Sequence, residues 1–443
     1  MSASAGAASA GQALRRRIAP NQLLIVLGAV FVSVNAIALS VISPAYRFAL
    51  LIGPIWLLLS IGGEWWLNRK APNRDIWLFP VVMIMAGWGT LAIYRLLPDF
   101  GERQLIWLIL GAGVLMAFAS LRQLIALLRG YRYLILLSGI LLLVTTILFG
   151  TNPSGAPGAP ALWLSLGIFY VQPSELLKIM LVAFVASYCA EQYPHLRGSL
   201  SSVSASNWRI APRLAGPLLV MWGICVVLLI WQRDLGTAIL FFVVFALMLY
   251  VTSGLNRILV ISAGLILVAG VVAYLVYGVV RLRIDIWWNP WLDPDNTAYQ
   301  IVQSLQSIAA GGLFGQGIGQ GSPYFVPVAH SDFILAAIGE EWGFLGIGTA
   351  LCLLALVVTR AFRLATGQPG NPFRALLATG LGLVIGVQTV LIAAGVTKIL
   401  PLTGVTLPFF SYGGSSLIVM FAAAGLLINL SASHAGSTHA ISD

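Results

Sequence analysis

Charge is scarce in this sequence. Asp, Glu, Lys and Arg make up 9% of its 443 residues, where a soluble domain carries about 25%. That shortage excludes an ordinary water-soluble core, because there are too few charged side chains to coat one. Cysteine is scarcer still. Cys189, Cys225 and Cys352 all fall in apolar runs, and their spacing offers neither a disulfide framework nor a metal site. They are expected to be small buried hydrophobes. The glycine-rich run Gly311–Gly321 lacks a following Gly-Lys-Ser/Thr and a preceding strand pattern, which excludes a nucleotide-binding loop of that type. Its expected role is a flexible turn near the membrane. No internal repeat stands out.

Apolar residues are what the chain has in plenty, at 59%. Apolar runs of about eighteen residues or more recur, each long enough to cross a bilayer as a helix. The chain is therefore expected to be an all-α polytopic membrane protein with about 12 transmembrane helices. These are expected near 21–42, 47–67, 76–96, 104–121, 132–150, 162–191, 214–232, 235–254, 258–280, 333–359, 374–396 and 415–432. Residues 1–20 form a disordered N-terminus and 433–443 a tail. Arg15, Arg16 and Arg17 precede a run that continues without a small-residue cleavage site, so it is read as a retained helix and not a signal peptide. The 162–191 segment carries Pro173, which removes a backbone donor and clashes with the preceding turn. It is expected to be kinked or entered through a short half-helix.

The net charge is +10. The basic residues are spread over short loops, so membrane topology explains them and a nucleic-acid partner does not. With the N-terminus placed in the cytoplasm, sixteen Lys and Arg residues fall in inside loops and seven in outside loops. That is the bias of the positive-inside rule, and it implies that both termini are cytoplasmic. Residues 281–332 then form a large extracytoplasmic loop. The stretch Arg281–Glu341 holds six of the chain's fourteen acidic residues: Asp285, Asp293, Asp295, Asp332, Glu340 and Glu341. No ATP is available on that side, so any chemistry there needs a substrate activated in advance or an ion gradient.

Six stretches are candidates for function, each with a structural alternative. Glu175 and Lys178 in Gln172–Lys178 share a helix face. Ionisable groups inside a span face protein or a wet cavity, and the pair either holds helices together or serves function. Asp234 precedes a span, where it reads first as an N-cap. Asp293, in Asn289-Pro290-Trp291-Leu292-Asp293-Pro294-Asp295, is either a catalytic carboxylate or a turn residue. Arg281 and Arg283 stand outside against the positive-inside rule, which suggests an anionic partner such as a lipid phosphate. His330-Ser331-Asp332 opens a span, a weak pattern for a metal or a triad. Lys398–Ser416 carries Pro401 and Pro408, so its backbone is irregular. At membrane depth such a backbone survives only inside protein or along a wet cavity.

Taken together, Gln172–Lys178, Asp234–Ala238, Asn289–Gln300, Ala329–Glu341 and Pro408–Ser416 resemble, in order and spacing, the motifs of the SEDS proteins (shape, elongation, division, sporulation), RodA and FtsW among them. The Pro-Phe-Phe-Ser-Tyr block leans towards the RodA branch. The resemblance implies a ten-helix unit over 71–432, preceded by an additional helix pair at 21–70. It implies a peptidoglycan glycosyltransferase that polymerises lipid II at the outer face of the cytoplasmic membrane, beside a class B penicillin-binding protein. It places the essential loop carboxylate at Asp293, as general base for an inverting transfer. Substrate-binding roles then fall on Glu175, Lys178, Lys398, Arg281, Arg283, Asp234, His330, Asp332, Ser411 and Ser415. Lys398 and nearby arginines, or a divalent cation (Mg2+ or Mn2+), would neutralise the departing pyrophosphate. Three positions depart from the family pattern: Leu162 stands where an arginine is usual, Val328 where a glutamate is, and Arg233 where a proline is. Two other readings use the same features. A lipid II flippase would also carry many apolar helices and a buried ion pair, and a scaffold for the penicillin-binding partner would need no base.

Overall fold

The computed structural model describes residues 19–153, 160–167, 169–201, 212–368 and 370–432. The expected N-terminal and C-terminal segments lie outside these, as does part of the Gly/Pro stretch 151–161. Fifteen α-helices occur among the described residues. They are α1 (Pro20–Ile42), α2 (Ala49–Lys70), α3 (Leu78–Leu96), α4 (Pro98–Ser120), α5 (Gln123–Gly130), α6 (Arg132–Phe149), α7 (Pro173–Ser201), α8 (Pro212–Trp231), α9 (Leu235–Ser253), α10 (Asn256–Val276), α11 (Gly278–Trp288), α12 (Tyr299–Gly311), α13 (Ile334–Thr366), α14 (Pro372–Val396) and α15 (Gly414–Ala432). Eleven candidate membrane spans satisfy length and apolarity among the described residues. The twelfth expected crossing corresponds to α8, whose described apolar part is Leu219–Trp231.

α3 is the hub. Most of its apolar window is buried, against α1, α2, α4, α13 and α15. Small residues make the approach possible, as expected where lipid tails remove the hydrophobic drive between helices. A Cβ on Gly89 would stand 2.6 Å from the Phe410 carbonyl oxygen, so α3 touches the irregular segment before α15 backbone to backbone. α1 and α2 pack on the same hub. The Trp56 indole donates to the Met83 carbonyl at 2.6 Å, and Arg74 pairs with Glu64, which also accepts from Asn21.

The expected 162–191 span resolves differently. Leu164–Leu166 (β1) and Phe169–Val171 (β2) form an antiparallel hairpin, with Leu164 opposite Val171 and Leu166 opposite Phe169. The helix begins only at Pro173. Proline is at ease in a first helical turn, where its missing N–H has no intrahelical partner to lose. It therefore starts α7 and does not kink it. Cys189 and Cys225 are buried as expected, but Cys352 is exposed on the outside of α13.

The 281–332 loop is largely helical. α11 carries Arg281, Arg283 and Asp285, a 3-10 turn spans Pro290–Leu292, and α12 follows. The glycine-rich run after α12 is pinned. Gly315 N–H donates to Gly311 O, Gln316 N–H to Glu340 O and Gly317 N–H to Glu341 O. These bonds close on a break in α13 at Gly343 (φ 69°, ψ −168°), a conformation open essentially to glycine alone. Arg95 of α3 locks the same corner. Its Nε donates to Glu341 at 3.0 Å and its Nη2 to the carbonyls of Gly319 and Gly321. α10 is the opposite case, since none of its residues is buried.

Candidate active site

The first turn of α7 supplies Ser174, Glu175 and Lys178 to a buried polar network. Lys178 Nζ reaches both oxygens of Glu175 and also donates to Gln388 Oε1 of α14 at 3.0 Å. Gln388 Nε2 donates to the Thr406 carbonyl at 2.7 Å, and the Thr406 hydroxyl bonds Ser416 at 2.8 Å. Ser174 Oγ donates to Asp234 Oδ2 at 3.0 Å. Asp234 caps α9 by accepting from Thr237 N–H at 3.2 Å, so it fills the cap role and also ties α9 to α7. Four helices and one irregular segment thus meet through satisfied polar groups, as buried groups in a low dielectric require.

Segment 397–413 is non-helical, as Pro401 and Pro408 dictate. Ser411 Oγ accepts from Leu407 N–H at 2.8 Å and donates to the Ser331 carbonyl at 2.6 Å. Tyr412 N–H donates to the His330 carbonyl at 2.7 Å. Ser415 Oγ accepts from Gln172 N–H at 3.0 Å. Ser411 and Ser415 therefore fasten this segment to 323–332 and to the hairpin. The His330 ring lies edge-on to Phe100 and to Tyr412, and burial lowers its pKa. It is a half-buried ring in an aromatic setting.

Asp332 accepts from Ser331 Oγ at 2.8 Å. Protein surrounds it although part of its surface is exposed, and that burial raises its pKa against the opposing pull of Ser331 and the Arg283 guanidinium. A Cβ on Gly404 would be 3.6 Å from Asp332 Oδ2 and 3.9 Å from Arg283 Nη2. A carboxylate and a guanidinium thus face the bare backbone of Gly404. Arg281 turns elsewhere: its Nε and Nη2 donate to the Tyr274 and Leu275 carbonyls at the end of α10. Lys398 is half-buried, and its carbonyl accepts from Trp287 of α11 at 3.2 Å.

Asp293 stands apart from this network, towards solvent. It accepts from Asn296 Nδ2 at 2.8 Å, Thr297 N–H at 3.1 Å and Thr297 Oγ1 at 2.8 Å. Those donors hold its carboxyl below the usual range, Asn296 most. It is both a turn residue and an ionised, accessible carboxylate.

Backbone strain marks the same region. The non-glycine residues with positive φ among those described are Arg233, Val328, Lys398 and Phe409. Each lies in or beside one of the motif segments. Such outliers persist only where the surroundings over-determine them, and they cluster at functional sites. Two coincide with departures from the family pattern. Arg233, at φ 62°, occupies a region closed to proline, whose ring fixes φ near −65°. Val328, at φ 57°, is β-branched, and its carbonyl accepts from Ser331 and Asp332 N–H.

Sequence reasoning did not single out Gln388, Thr406 or Ser416, nor the Arg95–Glu341 pair. An isolated Gln or Thr in an apolar run gives no local signal of partners far off in the chain. The only sequence-level cue was the cost of a polar group inside a span. Among the described residues no three His, Cys, Asp or Glu side chains converge to hold a metal.

Residues 75–436 match the family model FTSW_RODA_SPOVE, described as cell cycle protein. The peptidoglycan glycosyltransferase RodA of Mycobacterium tuberculosis (strain H37Rv) is 35% identical over 378 residues, covering 82% of this chain and 79% of that one. The probable peptidoglycan glycosyltransferase FtsW of Trichlorobacter lovleyi is 33% identical over 361 residues, covering 80% of this chain and 90% of that one. Among solved structures, a chain from work on the coordination of polymerisation and crosslinking by a peptidoglycan synthase complex aligns with TM-score 0.66 at 27% identity. It covers 82% of this chain and 98% of that one. The rod shape determining protein RodA of Thermus thermophilus aligns with TM-score 0.56 at 27% identity, covering 81% and 96%.

Proposed function

The chain belongs to the FtsW, RodA and SpoVE family of cell cycle proteins, and from that membership we propose its site and mechanism. It is a multi-pass bacterial membrane protein and a peptidoglycan glycosyltransferase, serving cell shape or division. The donor and the acceptor are lipid II, whose pyrophosphate is already a good leaving group. The acceptor hydroxyl is a poor nucleophile until its proton is taken, and Asp293 takes it as general base. Attack from the face opposite the pyrophosphate inverts the anomeric carbon. One base is enough, unlike the two carboxylates of a glycoside hydrolase. Arg283 and Lys398 neutralise the departing pyrophosphate.

The observation that carries this reading is a contrast among the motif carboxylates. Glu175 is bound by Lys178 and Asp332 is enclosed, while Asp234 caps a helix. Asp293 is half-exposed, its carboxyl is held below the usual range, and three hydrogen bonds fix its position. Its neighbour Asp295 is exposed, and is the alternative base if Asp293 fails. The buried network below holds the floor of the site in shape. The Lys and Arg distribution supports a position outside the cytoplasm for this face, with both termini inside. A class B penicillin-binding protein is the expected partner, in keeping with the synthase complex whose chain this one resembles.

The test is polymerisation of labelled lipid II by the purified chain, with and without a cognate class B penicillin-binding protein, beside Asp293→Ala. Glycan ladders that vanish in the variant are the expected result. Ladders that persist would move the base to Asp295 or Asp285. No ladder from folded protein with its partner present would refute the mechanism, and a positive lipid II flipping assay in liposomes would then favour transport.

A further inference from the structure

The membrane face opposite the 281–332 loop carries a cavity of about 560 Å³ that the glycosyl transfer does not use. It lies where α5 meets the start of α6, the end of the described side chains of α7, and the start of α14. Arg122, Arg129, Arg132 and Arg374 line it, against one carboxylate, Glu191. Arg132 is already committed. It pairs with Glu191, donates to Ser187 and packs on the Tyr133 ring at 4.9 Å. Arg122, Arg129 and Arg374 have no carboxylate partner among the described residues. α6 and α14 also begin here, so the positive ends of two long helices face the same space.

The rim of the cavity is apolar and open. Tyr133, which lines it, is 46% exposed, and its chain neighbours Tyr131 and Leu134 are 57% and 63% exposed. α5 is a short helix between two candidate membrane spans. Three uncommitted guanidiniums beside exposed apolar side chains match an amphiphile with a phosphate at its head. A free anion would need the first feature but not the second. Arginine suits this ligand, because its planar fork donates two parallel hydrogen bonds to phosphate oxygens.

We propose that this cavity binds the phosphate headgroup of an anionic phospholipid from the leaflet opposite the catalytic loop. The acyl chains lie over Tyr133 and the exposed side chains beside it, Tyr131 and Leu134. The positive-inside distribution makes this the cytoplasmic leaflet, and the proposal is independent of the lipid II reaction on the other face.

The experiment titrates the purified full-length chain in detergent with a short-chain phosphatidylglycerol, a short-chain phosphatidylcholine and inorganic phosphate, counting bound molecules by native mass spectrometry. Wild type is compared with Arg129→Gln/Arg374→Gln and with Arg363→Gln, a control on the same membrane face outside the cavity. Saturable phosphatidylglycerol binding, weakened about tenfold or more in the double variant and unchanged in the control, is the expected result. Equal binding of phosphatidylcholine would overturn the proposal, as would equal binding by a double variant of unchanged Tm. Inorganic phosphate that binds as tightly as the lipid and is lost in the double variant would overturn the lipid assignment. A double variant of lowered Tm is replaced by Arg122→Gln, on which the same outcomes decide.

Discussion

Lys178 Nζ lies 2.7 and 2.8 Å from the two carboxylate oxygens of Glu175, one turn back on the same helix, and 3.0 Å from Gln388 Oε1 on another. Both side chains of the pair are almost wholly buried. Removing one partner of a buried pair leaves an uncompensated charge and costs about 3–5 kcal/mol, whereas removing both together is often close to neutral. Glu175→Gln or Lys178→Met alone should therefore lower Tm sharply, and the double variant should recover most of it. Thermal unfolding in detergent checks this. If the double variant regains stability without polymerisation, the pair acts on substrate as well as on packing.

Asp293→Asn should lower Tm only slightly, since the side chain bonds only within its own turn, and should slow polymerisation by about 10²–10⁴-fold, the range for a general base. Single-turnover rates with labelled lipid II measure it. A rate within a factor of a few of wild type would remove Asp293 from the mechanism.

The pH profile has a definite sign. The base must be deprotonated to act, and Asn296 and Thr297 hold the Asp293 carboxyl below the usual carboxylate range. The acidic limb of the profile should therefore lie below that range. Thr297→Val and Asn296→Ala each remove a donor and should move the limb to higher pH, while the plateau above neutrality stays. A limb that does not move would separate Asp293 from the rate.

Val328 holds a β-branched side chain at φ 57°, a conformation that costs about 1–3 kcal/mol for such a residue. Val328→Gly should raise Tm while keeping the turn that brings Asp332 round. At Gly343, φ is 69° and ψ is −168°, and a Cβ would stand 2.3 Å from the Gly315 nitrogen, so Gly343→Ala should lower Tm by more than that strain alone. Thermal unfolding of the two variants side by side tests both signs at once.

Helix after helix was legible because each apolar run is long and bounded by polar or proline-containing links. The exception shows the limit. Apolarity runs from Leu162 across Pro173, and only the preference of proline for a first turn separates a hairpin from a helix. The polar ends of the site were legible in the same way: Glu175, Lys178 and Asp234 are out of place in lipid. Gln388 and Thr406 were not, because what makes them part of the site is a lysine 210 residues from Gln388 in sequence. Nor was the break at Gly343, since an isolated glycine in a helical pattern gives no sign of the backbone that will press on it. The glycine run Gly311–Gly321 read as a flexible turn, and its true role depends on that break.

α10 buries none of its residues, and its 21 residues span about 31 Å as a helix. Its end is joined by Tyr277 to α11, which carries Arg283, and then to Asp293. No protein interior fixes the height of such a helix, so the match between its apolar length and the surrounding lipid must fix it. The bilayer itself then acts as the gauge for this helix, while Trp287 on Lys398 and α12 on α13 hold the Asp293 end of the loop to the bundle. Lipids of different chain length would load the joint at Tyr277 without altering a single side chain.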